Sequence, residues 1–177
     1  LFARFEQGLL SRADYRLQRF AEPFACLGLT PRDGLVEQLN RVFMDCVNDE
    51  PLLFDDVRST LSSLRAQGTR TAILTNGPSD GQRRKLKATG LHEAVDHVAI
   101  GEELGVSKPA ARAFHSVTEH FALADHAAAL MVGDSPHLDY DAALNAGLGA
   151  VLLDRPAVHD GTRVSIRTLT EVLLAFH

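Results

Sequence analysis

Three short stretches of this chain combine residue types that could do chemistry together. The first is Leu74-Thr75-Asn76-Gly77, where a hydroxyl, a side-chain amide and a glycine close a β-branched, apolar run. Such a turn can wrap an anion. Thr75 offers an O–H, the turn offers backbone N–H groups, and Ser79 opens a helix whose N-terminus is electropositive. Asn-Gly is also a common turn dipeptide, so taken alone the stretch reads first as a plain turn. The second is Gly105-Val106-Ser107-Lys108-Pro109, in which Lys108 precedes a helix-opening proline. A lysine there could neutralise a phosphate, and taken alone it reads as a solvated surface lysine. The third is Met131-Val132-Gly133-Asp134-Ser135, with Asp139 at the start of the next helix. Two carboxylates at one strand end repel unless a cation sits between them, and Mg²⁺ and Lys108 are the natural candidates.

These residues need a scaffold that brings them to one place. Pattern reading predicts strands over Thr71–Thr75, His97–Ile100, Ala127–Val132 and Ala150–Leu153. Helices are predicted near Val57–Gly68, Ser79–Gly90, Pro109–Phe121, Leu138–Ala146 and Leu169–Phe176. Strands alternating with helices imply crossover units and a parallel sheet with helices on both faces, a Rossmann-like α/β fold. In open parallel sheets, ligands bind beyond the carboxyl ends of the strands. All three stretches fall there, in order, as anion cradle, cation and metal-binding acids.

The first 48 residues follow a different rhythm and read as a small helical unit, with the remainder, 49–177, as the sheet unit. A helix is expected over Phe2–Gly8. Ser11 caps a second helix with Leu17, Phe20, Ala21, Phe24 and Leu27 on one face. Thr30-Pro31 reads as a third helix start, followed by a wide apolar band through Leu35, Leu39, Val42, Phe43 and Cys46. Cys26 and Cys46 sit at apolar helical positions and are expected to be buried free thiols, which fits a reducing, cytoplasmic setting.

Composition narrows the functions further. The 177 residues carry a formal net charge of −5 and are 45% hydrophobic, with no basic run and no aromatic-plus-basic stripe. Non-specific nucleic-acid binding is therefore not expected. No apolar run approaches the roughly 20 residues a membrane helix needs. Other tempting residues read more weakly. His137 is expected to be exposed loop filler, Arg83, Arg84, Lys85 and Lys87 a solvated basic helix face, and Tyr15, Arg16 and Arg19 residues that could face a substrate.

Thr75-Asn76-Gly77, Ser107-Lys108-Pro109 and Gly133-Asp134-Ser135 with Asp139 resemble the second, third and fourth motifs of the haloacid dehalogenase (HAD) superfamily. Asp139–Gly147 also resembles the helix that follows the fourth motif. The resemblance covers residues 51–177 with specific motifs. It extends more weakly to residues 1–48, which resemble part of the helical cap of pyrimidine 5'-nucleotidase-like and phosphoglycolate phosphatase-like members. Residues 8–14 are similar to the turn and cap helix of the nucleotidase-like branch. The resemblance implies a Mg²⁺-dependent phosphatase acting on a small phosphomonoester, a nucleoside 5'-monophosphate being the first guess, through an aspartyl-phosphate intermediate. It implies that Thr75, Asn76 and Gly77 hold the phosphoryl group, that Lys108 offsets its charge as a catalytic and phosphate-binding residue, and that Asp134 and Asp139 serve the metal.

One departure is large. The family's first motif, an apolar strand followed by Asp-x-Asp, is absent, so the nucleophile cannot be named among these residues. The chain opens at Leu1 inside a helical pattern and without Met. With the other three motifs intact, that start is expected to mean a segment left out, and the chain by itself is expected to be inactive. The first-motif strand would lie between the strands ending at Thr75 and Val132, so these two should not pair with each other. The remaining readings are a 2-haloacid dehalogenase-type hydrolase on the same fold, and a catalytically inactive binding or regulatory domain.

Overall fold

The computed structural model describes residues 1, 4–5, 9–158 and 161–176. The helix expected over Phe2–Gly8 falls for the most part outside the described residues. The chain divides into two compact units, Leu1–Leu52 with Asp80–Thr89, and Leu53–Ser79 with Gly90–His177.

The first unit is helical. Helix α1 (Arg12–Cys26) starts where Ser11 Oγ accepts from the Asp14 N–H at 3.1 Å. Helix α2 (Leu35–Asp49) starts at Gly34, which has φ +75°, rather than at Thr30-Pro31. Asp33 and Gly34 form a turn instead, closed by the Leu35 N–H donating to the Arg32 carbonyl at 3.1 Å, and the left-handed position at Gly34 suits glycine. The two helices pack together, with the rings of Phe20 and Phe43 edge to face at 5.6 Å. Cys26 and Cys46 are exposed, contrary to the expectation from their apolar positions. Two paired helices bury only the stripe between them, and the rest of a wide apolar band stays open. Arg16 donates to both oxygens of Asp80, at 2.8 and 3.0 Å, and Arg19 lies 4.2 Å from the Phe43 ring centroid while donating to Asn40. Burial lowers the pKa of both Arg19 and Lys85.

The second unit holds the sheet. After α3 (Asp56–Ala66) comes β1 (Ala72–Thr75), then α4 (Ser79–Thr89), whose residues from Asp80 onward belong to the first unit. A short α5 (Leu91–Ala94) leads into β2 (His97–Ile100), α6 (Gly101–Leu104) and α7 (Ala111–His120). Then follow β3 (Leu130–Gly133), a wide π-helical turn over Pro136–Asp141, α8 (Ala142–Asn145) and β4 (Gly149–Leu153). A two-residue β5 (Ser165–Ile166) and a 3₁₀ segment (Leu169–Phe176) complete it. Every strand pairing is parallel. The single helix predicted over 138–146 opens instead with this wider turn, in which the Ser135 carbonyl accepts from the Tyr140 N–H five residues on at 3.2 Å while the Ser135 hydroxyl caps the Leu138 N–H. The two residues of β5 are too few to show a period in sequence.

The strands form two sheets, β1-β2 and β3-β4-β5. As expected, β1 and β3 are not paired with each other. Between them lies an apolar cavity of about 560 Å³, lined by Ile73 and Leu74 on one side, Leu130, Met131 and Val132 on the other, and Phe114. Beside it, Phe114 packs with Ala142, Ala143, Ala146 and Leu148. Phe114 is 1% exposed, and the three alanines let α8 come close to it.

Candidate active site

The carboxyl ends of β1 and β3 carry the residues singled out in the sequence. Thr75 is the last residue of β1, half-buried, with its hydroxyl donating to the neighbouring Asn76 carbonyl at 3.1 Å. Gly77 has φ +108°, a conformation that a side chain would strain. The Asn76 side chain does not point to open solvent. Its Nδ2 donates to the Lys108 carbonyl at 2.8 Å, and its Oδ1 accepts from the Lys108 N–H at 2.9 Å.

Lys108 crosses from this turn to the end of β3. Its Nζ lies 2.5 Å from Asp139 Oδ1, and the two side chains are 11% and 6% exposed. The other Asp139 oxygen accepts from the Ser135 N–H at 3.0 Å. Gly133 makes room for this carboxylate, because a Cβ there would overlap it. Gly101 does the same for Ser107 on the loop that carries Lys108. An ammonium and a carboxylate this well buried need each other, since either alone would be costly. One of the three Lys108 ammonium protons is used on Asp139, leaving two as donors.

Asp134 follows β3 directly and is exposed. Among the described residues it has no hydrogen-bond or ion-pair partner. Those residues contain no group of three His, Cys, Asp or Glu able to cage a metal ion. The donor set does fit Mg²⁺, which keeps several waters and is commonly held by one or two carboxylates plus substrate phosphate. Asp134 is the carboxylate left open, while both Asp139 oxygens already have partners.

Two acids were not foreseen. Glu102 accepts from the Ser79 N–H at 2.8 Å, and Glu103 accepts from the Ser79 hydroxyl. The N-terminus of α4, expected to help bind an anion, is thus already capped by a carboxylate of the chain itself. Their position was legible, since Gly101-Glu102-Glu103 follows β2 directly, but their partner Ser79, far away in sequence, was not. His137 is 86% exposed and lies 3.2 Å from Asp141, whose other partner is Arg163. Arg163 holds the Asp141 carboxyl below its usual range.

The family model of haloacid dehalogenase-like hydrolases matches residues 6–147. The chain belongs to that family. Among curated proteins, it is 37% identical over 127 residues to a phosphoserine phosphatase of Thermus thermophilus, covering 70% of this chain and 51% of that protein. It is 36% identical over 144 residues to a ribulose-1,5-bisphosphate 5-phosphatase of Halopiger xanaduensis, covering 80% and 59%. A pyrimidine 5'-nucleotidase of Escherichia coli, YjjG, is 29% identical over 154 residues, with 87% and 66% covered. The chain therefore spans about half to two thirds of the length of these relatives. Among solved structures, the HAD-hydrolase YfnB of Bacillus subtilis, bound to magnesium, superposes with a TM-score of 0.80 at 25% identity, covering 99% of this chain and 77% of that one. The Rossmann-like α/β fold of the HAD hydrolases is thereby that of this chain as well. No helix among the described residues is long and apolar enough to cross a membrane.

Proposed function

We propose that this HAD-family chain forms the greater part of a Mg²⁺-dependent phosphatase for a small phosphomonoester. The observation that carries the reading is the half-buried cradle at the sheet mouth, where Asn76, Lys108 and Asp139 are joined and Asp134 stands free beside them. The three curated relatives named above act on different phosphate esters, so they support the phosphoryl group as the common feature. Nucleoside 5'-monophosphates are the first natural substrates to test.

In this reading Thr75 and the backbone N–H groups of Asn76 and Gly77 hold the phosphoryl oxygens. The two unspent Lys108 protons bind them from the other side and offset their charge. Asp139 aims the Lys108 ammonium. Asp134 would hold Mg²⁺, which would shield charge and template the phosphoryl group when bound. By the family resemblance the attacking aspartate would lie on a strand between β1 and β3, and the apolar slot there supports that reading. Attack would break the ester P–O bond, release the alcohol and give an aspartyl-phosphate, which water then hydrolyses to inorganic phosphate and the free aspartate. Residues 1–48 would act as part of a substrate-selecting cap and 49–177 as the core. The free thiols of Cys26 and Cys46 accord with a reducing cytoplasm.

A dehalogenase would displace at carbon and needs no metal acid, so the free Asp134 favours phosphoryl transfer. The test is hydrolysis of p-nitrophenyl phosphate by the protein that carries this chain together with an Asp-x-Asp strand. Mg²⁺ should be required, and Asp134→Asn should remove most of the activity, a loss of about a hundredfold or more. If neither EDTA nor Asp134→Asn changes the rate, the metal assignment is wrong.

A further inference from the structure

We infer that the Asn76 side chain is a positioning residue for Lys108 and does not itself bind the anion. The inference rests on the phosphate-site reading and assigns one of its residues a different task. Among the described residues, every hydrogen bond of Lys108 goes to Asn76 or Asp139. Asp139 holds the ammonium and Asn76 holds the backbone. The amide does so at both ends, with N–H to carbonyl at 2.8 Å and carbonyl to N–H at 2.9 Å. That is the pairing one β-strand residue makes with another, supplied here by a side chain. A single bond would leave the peptide free to pivot, whereas two opposed bonds fix its place and its tilt.

The loop needs such a fixture. Lys108 lies between Ser107, which packs on Gly101, and Pro109, which has no N–H to give. A lysine side chain has four rotatable methylenes, so the reach of its ammonium depends on where its backbone starts. Asn76 ties that start to the end of β1, next to Thr75. The cation and the cradle are therefore set in one frame, although 32 residues separate Asn76 from Lys108. An amide suits the task because it is neutral. An aspartate in its place would accept from the N–H but repel the Lys108 carbonyl, and would compete with the substrate for the ammonium. With Oδ1 and one Nδ2 proton committed to the Lys108 peptide, and the amide turned toward it, the direct role expected of the Asn76 side chain on a phosphoryl oxygen passes to its backbone N–H.

The experiment is a double-mutant cycle in the protein that carries this chain together with an Asp-x-Asp strand, read by binding of inorganic phosphate in the presence of Mg²⁺. The Lys108 ammonium resonance is followed alongside by nitrogen-detected NMR. Lys108→Ala should weaken phosphate by about tenfold or more, and Asn76→Ala by a comparable factor. The double variant should bind no more weakly than Lys108→Ala alone. Asn76→Ala should also shift or broaden the Lys108 ammonium signal, while Thr75→Ala, which touches neither bond, should not. Asn76→Ser retains a group able to make one of the two bonds and should fall between wild type and alanine, which keeps the test open should Asn76→Ala fold poorly. If Asn76→Ala weakens phosphate by its full factor in the Lys108→Ala background, Asn76 binds the anion directly and the positioning role is refuted, with the phosphate site intact. An unmoved ammonium signal in Asn76→Ala refutes it too. If Lys108→Ala leaves phosphate binding unchanged, the phosphate-site reading itself falls and the inference with it.

Discussion

At the scale of single residues, a buried ion pair, Lys108 with Asp139, holds the candidate site together. Asp139 is 4% exposed and holds the Lys108 ammonium with one oxygen and the Ser135 N–H with the other. Removing one partner of such a pair strands a charge in poor solvent, which costs about 3–5 kcal/mol. Asp139→Ala should lower the unfolding free energy by about that much in urea titration, and Lys108→Met placed on top of it should restore a good part of the loss. If Asp139→Ala is nearly neutral, the pair is not buried as described. A cruder change nearby should act through the same atoms. Gly133 has no room for a Cβ beside the Asp139 carboxylate, so alanine there would push the acid off Lys108. In sequence, Gly133 reads as a sharp-turn residue at a strand end. Its tighter constraint, room for a carboxylate from the following turn, needs the fold to be seen.

At the scale of elements, strand ends were legible and partners were not. The strand His97–Ile100 is where its apolar run predicts, and those ending at Thr75 and Leu153 keep their ends, because β-branched and apolar runs bounded by glycine and polar residues have few alternatives. The strand expected over Ala127–Val132 starts later, at Leu130, since His126–Ala128 form a 3₁₀ turn capped by Asp125. The paired roles of Asn76, Glu102 and Glu103 depend on contacts far apart in sequence, which periodicity does not carry. So does the anchoring of α3. Its Asp56 takes two bonds from Arg155, both 2.9 Å, and one from the Leu169 N–H at 2.7 Å. The hydrogen bonds from Arg155 hold the Asp56 carboxyl below its ordinary pKa. The folded form thus binds fewer protons than the unfolded chain around that range. The stabilisation is complete above about pH 4 and is lost as pH falls through the depressed value. Asp56→Asn should therefore flatten the acid side of the stability curve while lowering the plateau near neutral pH by about 2 kcal/mol. Thermal melts from pH 7 down to pH 3 would show it. An unchanged acid limb would mean that Asp56 is not among the groups whose protonation unfolds the chain.

At the scale of the molecule, the described strands form two parallel sheets, and the residues proposed for the chemistry gather at the carboxyl ends of β1 and β3. The inner edges of β1 and β3 face an apolar cavity and have no strand partner among the described residues. Each backbone group left unsatisfied in such a place costs about 1–3 kcal/mol, against a total stability of about 5–15 kcal/mol for a domain. That imbalance is the physical ground for reading the slot as a seat for a further strand. The sequence held this much in outline, since the three motifs named the strands on either side of the gap. Lys108 spans the mouth of the same gap, bonded to the β1 end through Asn76 and to the β3 end through Asp139. The site's central claim is therefore spatial: one phosphate-sized anion should touch both sides of the split sheet at once. A crystal structure of the protein that carries this chain together with an Asp-x-Asp strand, grown with Mg²⁺ and inorganic phosphate, measures this directly. The expected result is an anion within hydrogen-bond reach of Thr75 Oγ1 and Lys108 Nζ together, with a metal ion on Asp134. An anion bound elsewhere while these three side chains remain bare would contradict the account.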